Sequence, residues 1–111
     1  LIFTSSSVGR KGRAHWGAYA VSKFAVEGLM QTLAEELEKT SSIRVNSLNP
    51  GGTRTGMRKA AYPAEDPKSQ PLPEQIMPVY LYLMSDEAKA IHGQAMDVRD
   101  FEPGKYLPLS N

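Results

Sequence analysis

Tyr19 and Lys23 stand four residues apart at the start of a strongly helical stretch, and Ser6 precedes the tyrosine by thirteen positions. Residues i and i+4 share a helix face, so this spacing sets an ammonium beside a phenol. A free phenol gives up its proton only near pH ~10, and a cation within a few ångströms favours the phenolate. With Lys23 supplying that charge, Tyr19 has the means to act as a general acid or base. Ser6 can hydrogen-bond the oxygen of a carbonyl or an alcohol and steady the charge that develops there. A Tyr-x-x-x-Lys pair alone is a weak signal, because such pairs on helix surfaces are commonly solvated neighbours. Its weight comes from the elements that position it.

The apolar run Leu1 to Thr4 reads as a buried strand, and Ser5-Ser6-Ser7-Val8-Gly9 leaves it in a turn with Gly12 close behind. Arg10, Lys11 and Arg13 read as a solvated loop, since no aromatic residues interleave with them. Ala18 to Leu37 follows a helical repeat, with Val26, Leu29, Met30, Leu33 and Leu37 on one side and Glu27, Gln31, Glu35 and Glu38 on another. Gly28 in mid-helix costs about 1 kcal/mol relative to Ala and therefore implies a packing reason. Ile43 to Leu48 alternates as a short strand does, and Asn49-Pro50-Gly51-Gly52 then forces a turn.

Strand, helix, strand and turn describe a βαβ unit, so an α/β class with parallel strands is expected. Ligands of such sheets bind beyond the carboxyl ends of the strands, where both Ser6 and the Pro50-Gly51 turn fall. Residues 56–73 are rich in proline and charge, lack periodicity, and read as an excursion with about one helical turn. Pro73 suits the first turn of a second helix, with Ile76, Val79, Tyr80 and Leu83 on one face; Pro78 within it predicts a kink or a later start. A last short strand is expected over Ala95 to Val98.

Composition excludes several classes. The 111 residues carry a net charge of +1, which argues against nucleic acid or a membrane as the main partner. There is no cysteine, and His15 and His92 are too far apart in sequence to form a ligand cluster, so no metal is expected. No apolar run approaches the ~20 residues of a membrane span. The first residue is not Met and lies within a strand. The expectation is therefore the C-terminal part of a longer protein.

The serine leaving a strand, the Tyr19-x-x-x-Lys23 helix, the Asn49-Pro50-Gly51-Gly52-Thr53-Arg54-Thr55 turn, and Ser85-Asp86-Glu87-Ala88 with Gly93-Gln94 together resemble the short-chain dehydrogenase/reductase family. The likeness runs from Leu1 to about Val98. It implies the C-terminal half of a Rossmann-like, doubly wound parallel sheet in the order β-α-β-lid-α-β. Residues 1–98 would belong to that domain, with the lid at about 56–72 and a loosely ordered tail over 99–111. It further implies an NAD- or NADP-dependent oxidoreductase that moves hydride between nicotinamide and a small-molecule carbonyl or alcohol.

By that resemblance Tyr19 exchanges the proton, Ser6 holds the oxygen, and Lys23 assists Tyr19 while binding the nicotinamide ribose. Pro50, Gly51 and the backbone of Thr53 would meet the nicotinamide, and the Thr55 hydroxyl the pyrophosphate. Met57 and Tyr62 are the candidate substrate contacts. A cytoplasmic homo-oligomer is implied. Where many members read Val-Asp-Gly-Gly, this chain has Val98-Arg99-Asp100-Phe101. The family's first half, with its glycine-rich turn and the residue that selects NAD or NADP, has no counterpart here. These 111 residues alone are therefore expected to fold poorly and to be inactive. A non-catalytic relative that only binds a nucleotide or partner is the alternative.

Overall fold

A computed structural model of the chain describes residues 1–101. Strand β1 (Ile2–Thr4) leads through a 3-10 turn (Ser7–Gly9) to helix α1 (Gly17–Leu37), and β2 (Asn46–Asn49) follows. The excursion after β2 holds a short helix α2 (Gly56–Ala61) and a 3-10 turn (Pro67–Ser69). Helix α3 (Pro73–Met84), a 3-10 turn (Asp86–Ala88), strand β3 (Ala95–Asp97) and a 3-10 turn (Val98–Asp100) complete it.

The three strands form one parallel sheet in the order β1-β2-β3, with Ile2 opposite Asn46 and Ser47 opposite Ala95. Successive side chains of a strand face opposite sides of a sheet. Val45 accordingly packs with Met30 and Ala34 of α1, whereas Leu48 packs with Val79, Leu83 and Ala88. The sheet is thus covered by α1 on one face and by α3 on the other, the layering that parallel strands require. Full burial of residues such as Met30 and Leu48 stabilises by about 1.5–3 kcal/mol each.

Several details differ from the sequence reading; among them, the strand read as buried over Leu1 to Thr4 is only partly so, with Leu1 exposed. The second strand begins at Asn46 rather than Ile43, because the amides of Ile43 and Val45 are taken by side chains instead of a ladder. Ile43 N donates to Ser41 Oγ (3.1 Å) and Val45 N to His92 Nδ1 (3.1 Å). Its polar residues do not face water: Asn46 and Ser47 are buried, and each has partners. Asn46 Nδ2 donates to Ile91 O and Asn46 Oδ1 accepts from Gln94 N, while Ser47 Oγ donates to Glu27. Glu27 itself is buried rather than on the solvated face.

Gly28 meets open space where a Cβ would sit, so no packing among the described residues explains it. Helix α3 starts at Pro73 and contains Pro78. Its entry is tied by Gln75 Oε1, which accepts from Leu72 N at 2.7 Å. Of the expected tail, Val98–Asp100 form the last turn and the Phe101 ring meets Tyr82 edge-on at 6.3 Å. Residues 102–111 lie outside the described residues.

Candidate active site

The carboxyl ends of β1 and β2 open onto a cleft of about 900 Å³. Ser5 is anchored there by its N–H to Leu48 O (2.8 Å), which leaves Ser6 to start the turn. Ser6 is its N-cap, with Oγ accepting from Val8 N at 3.4 Å. Gly9 closes the turn against α1. A Cβ at Gly9 would lie 2.9 Å from Lys23 Cβ and 3.0 Å from Lys23 O, so only glycine lets the serine turn come this close.

Tyr19 and Lys23 project from the first turns of α1, and the Lys23 ammonium stands 5.6 Å from the Tyr19 ring centroid. Lys23 Nζ also donates to Thr4 O (3.2 Å), which ties the helix to the end of β1. The tyrosine remains 39% exposed, open to the cleft. Trp16, the N-cap residue of α1, meets the Tyr19 ring edge-on at 5.8 Å.

The opposite wall is the turn after β2. Asn49 Oδ1 accepts from Gly51 N (3.0 Å), an Asx turn, and Gly51 has φ +75, a left-handed angle that glycine adopts without strain. Thr53 Oγ1 donates to Gly51 O at 3.2 Å, and Thr55 Oγ1 accepts from Arg58 N at 3.1 Å as the N-cap of α2. In the excursion, Tyr62 stacks on Trp16 with centroids 6.0 Å apart and planes at 23°, while the Arg58 guanidinium lies 3.9 Å from the centroid of the Tyr62 ring. The Arg58 guanidinium donates twice to Glu65, at 2.9 and 2.7 Å. Those bonds hold the Glu65 carboxyl below the ordinary glutamate range and push Arg58 up.

All the candidates named from sequence line this one cleft: Ser6, Tyr19 and Lys23, the turn residues Pro50, Gly51, Thr53 and Thr55, and Met57 and Tyr62. Sequence reasoning missed Trp16 and Arg58, and it placed Arg10 in solvent. Arg10 instead pairs with Glu27 at 3.2 Å and Asp97 at 2.6 Å. The eight-residue interval from Tyr19 to Glu27, which continues the face of Lys23, was the available signal. His92 is a packing residue bridging Val45 N and, through Nε2, Ala34 O at 2.8 Å.

The family model for short chain dehydrogenase matches residues 1–66. The chain belongs to the short-chain dehydrogenase/reductase family. It is 55% identical to the uncharacterized oxidoreductase YciK of Escherichia coli K12 over 99% of this chain and 42% of that protein. It is 40% identical to the 3alpha-hydroxysteroid dehydrogenase of Mediterraneibacter gnavus over 88% of this chain and 42% of that protein. Among solved structures, a chain from E. coli CFT073 complexed with NADPH superposes with TM-score 0.83 and 56% identity, covering 89% of this chain and 40% of that one.

The chain therefore spans about two-fifths of the length of these relatives. The three-stranded sheet with its helices is a fragment of the family's Rossmann-like fold. Among the described residues no helix is long and apolar enough to cross a membrane.

Proposed function

We propose that this chain carries the catalytic side of an NAD(P)-dependent oxidoreductase acting on a carbonyl or alcohol substrate. The observation that carries this reading is the Tyr19–Lys23 pair on one helix face, in the same cleft as Ser6. In the reduction direction Tyr19 gives its phenolic proton to the substrate oxygen as the carbonyl carbon gains hydride. Lys23, fixed on Thr4 O, favours the phenolate that remains. Ser6 Oγ donates to the same oxygen while its charge grows. In the oxidation direction Tyr19 takes the proton back.

The turn after β2 fits a nicotinamide nucleotide. Gly51 has a left-handed φ and open space in place of a Cβ, which lets a planar group approach the backbone of residues 50–53. Pro50, Gly51 and Thr53 would hold the nicotinamide end, Lys23 and Tyr19 its ribose, and Thr55 a phosphate. When bound, the nucleotide supplies or accepts the hydride. Relatives complexed with NADPH and with NADP favour the phosphorylated form.

The excursion after β2 serves as a substrate lid, with Met57 and Tyr62 facing the substrate; closing it excludes water from the reacting atoms. Val21, Phe24 and Leu29 leave an exposed apolar stripe on α1 beside Gly28, which supports a homo-oligomeric contact.

The test is Tyr19→Phe in the complete polypeptide that contains these residues. Turnover of a carbonyl panel with NADPH should fall by about 10²–10⁴ with an unchanged circular dichroism spectrum. Retained turnover would remove Tyr19 from the mechanism.

A further inference from the structure

Tyr19, Lys23 and Glu27 recur every four residues and so follow one face of α1. Lys23 thus has a phenol four residues before it and a carboxylate four residues after it, and that carboxylate is buried. At i, i+4 spacing a glutamate lies within reach of a lysine, and this carboxylate is short of partners. Glu27 Oε2 takes Arg10 Nε at 3.2 Å and Ser47 Oγ at 3.1 Å, whereas Oε1 is buried with none. Lys23 nevertheless donates to Thr4 O rather than to Glu27.

We propose that Arg10 is a positioning residue that occupies Glu27 and thereby reserves the Lys23 ammonium for Tyr19. Three observations support it. The Arg10 guanidinium is held from three directions, by Glu27, by Asp97 Oδ1 (2.6 Å) and by Met96 O (3.0 Å), so it is a fixed partner. Asp97 has a second cation in Arg99 (3.7 Å), but among the described residues Arg10 is the one cation in contact with Glu27. Arg10 also caps the turn that Ser6 begins, its N–H donating to Ser7 O at 3.1 Å. One side chain thus ties the serine turn to the helix and quenches the charge that competes for Lys23. A buried carboxylate stripped of its cation takes the nearest ammonium or a proton. With Arg10 removed, that ammonium is Lys23.

This inference rests on the oxidoreductase reading, and the experiment separates the two. In the complete polypeptide, Arg10→Met should lower kcat/KM by about tenfold or more, and Arg10→Met combined with Glu27→Gln should recover it to within about threefold of the parent. Arg10→Lys, which keeps a cation for Glu27 but loses the fork to Asp97 and Met96, should stay near the parent. The crystal structure of the Arg10→Met variant should show Lys23 Nζ moved from Thr4 O to Glu27.

A double variant no better than the single one, Arg10→Lys as impaired as Arg10→Met, or Lys23 unmoved in the crystal would each overturn the proposal. A parent protein that turns over no carbonyl would defeat the oxidoreductase reading, while the crystal structure would still decide where Lys23 goes. If Arg10→Met does not fold, the Arg10→Lys and double variants decide between charge and fork.

Discussion

Truncating Tyr62 to alanine should loosen the excursion after β2 without unfolding it. That segment is clamped internally: Arg54 N donates to Pro71 O (2.7 Å), Arg54 Nε to Pro67 O (3.0 Å), and Gln70 Nε2 to Glu65 Oε2 (3.2 Å). The Arg58 fork to Glu65 and the Arg58 cation over Tyr62 also join groups within the segment, so neither fastens it to the rest of the molecule. The stack of Tyr62 on Trp16 does. An aromatic pair of this kind is worth about 0.5–1.5 kcal/mol beyond its buried area, equivalent to a two- to thirteenfold shift in the open population. Hydrogen exchange read by mass spectrometry over residues 57–62 should accelerate by about that factor in Tyr62→Ala, with helix α1 unaffected. Tyr62→Phe keeps the ring and should exchange within about twofold of the parent. Parent-like exchange in Tyr62→Ala, or equal opening in both variants, would refute the latch.

Two further outcomes follow from the same geometry. Gly9→Ala places a methyl 2.9 Å from Lys23 Cβ and 3.0 Å from its carbonyl oxygen. Backbone must move, so a loss of about 1–3 kcal/mol in urea denaturation is expected, with reduced turnover as Ser6 shifts from Tyr19. The Glu65 carboxyl, held low by Arg58, gives a pH dependence of defined sign. A depressed folded-state value means that its stabilisation is present above the unfolded glutamate value and is lost as pH falls through the folded one. Carbon-13 NMR of the Glu65 side chain should show it titrating below the ordinary ~4.3, and Arg58→Gln should return it to that range. A midpoint at the ordinary value in the parent would sink the clamp.

The sequence carried much of this because local and tertiary signals agree where the site lies. Helix α1 was legible from its repeat, and the Asn49–Gly52 turn from residues whose backbone demands are strong. What escaped depends on contacts between residues far apart in the chain. Glu27 reads as a surface residue until Arg10, seventeen positions earlier, and Ser47, twenty later, are seen to enclose it. Asn46 and Ser47 imitate a half-exposed strand because alternation cannot distinguish a solvated polar face from a buried one with its own hydrogen-bond partners. The start of β2 was misjudged for a related reason. His92, about 47 residues downstream, takes the Val45 amide that a ladder would otherwise use. The excursion showed no periodicity because its order comes from Arg58 and Gln70 bonding Glu65, and from Arg54 bonding the carbonyls of Pro67 and Pro71, rather than from an apolar face.

Trp16 is the one tryptophan in the 111 residues, and it touches both the Tyr19 ring and the Tyr62 ring. Its indole emission is therefore a local optical signal from the seam between helix α1 and the segment above it, rather than an average over the chain. Two tyrosines within about one ring's width also make it an acceptor for excitation energy absorbed at their wavelengths. A molecule that parts Trp16 from Tyr62 would change both its emission colour and that transfer. The chain thus carries an unlabelled reporter at the mouth of its own cleft.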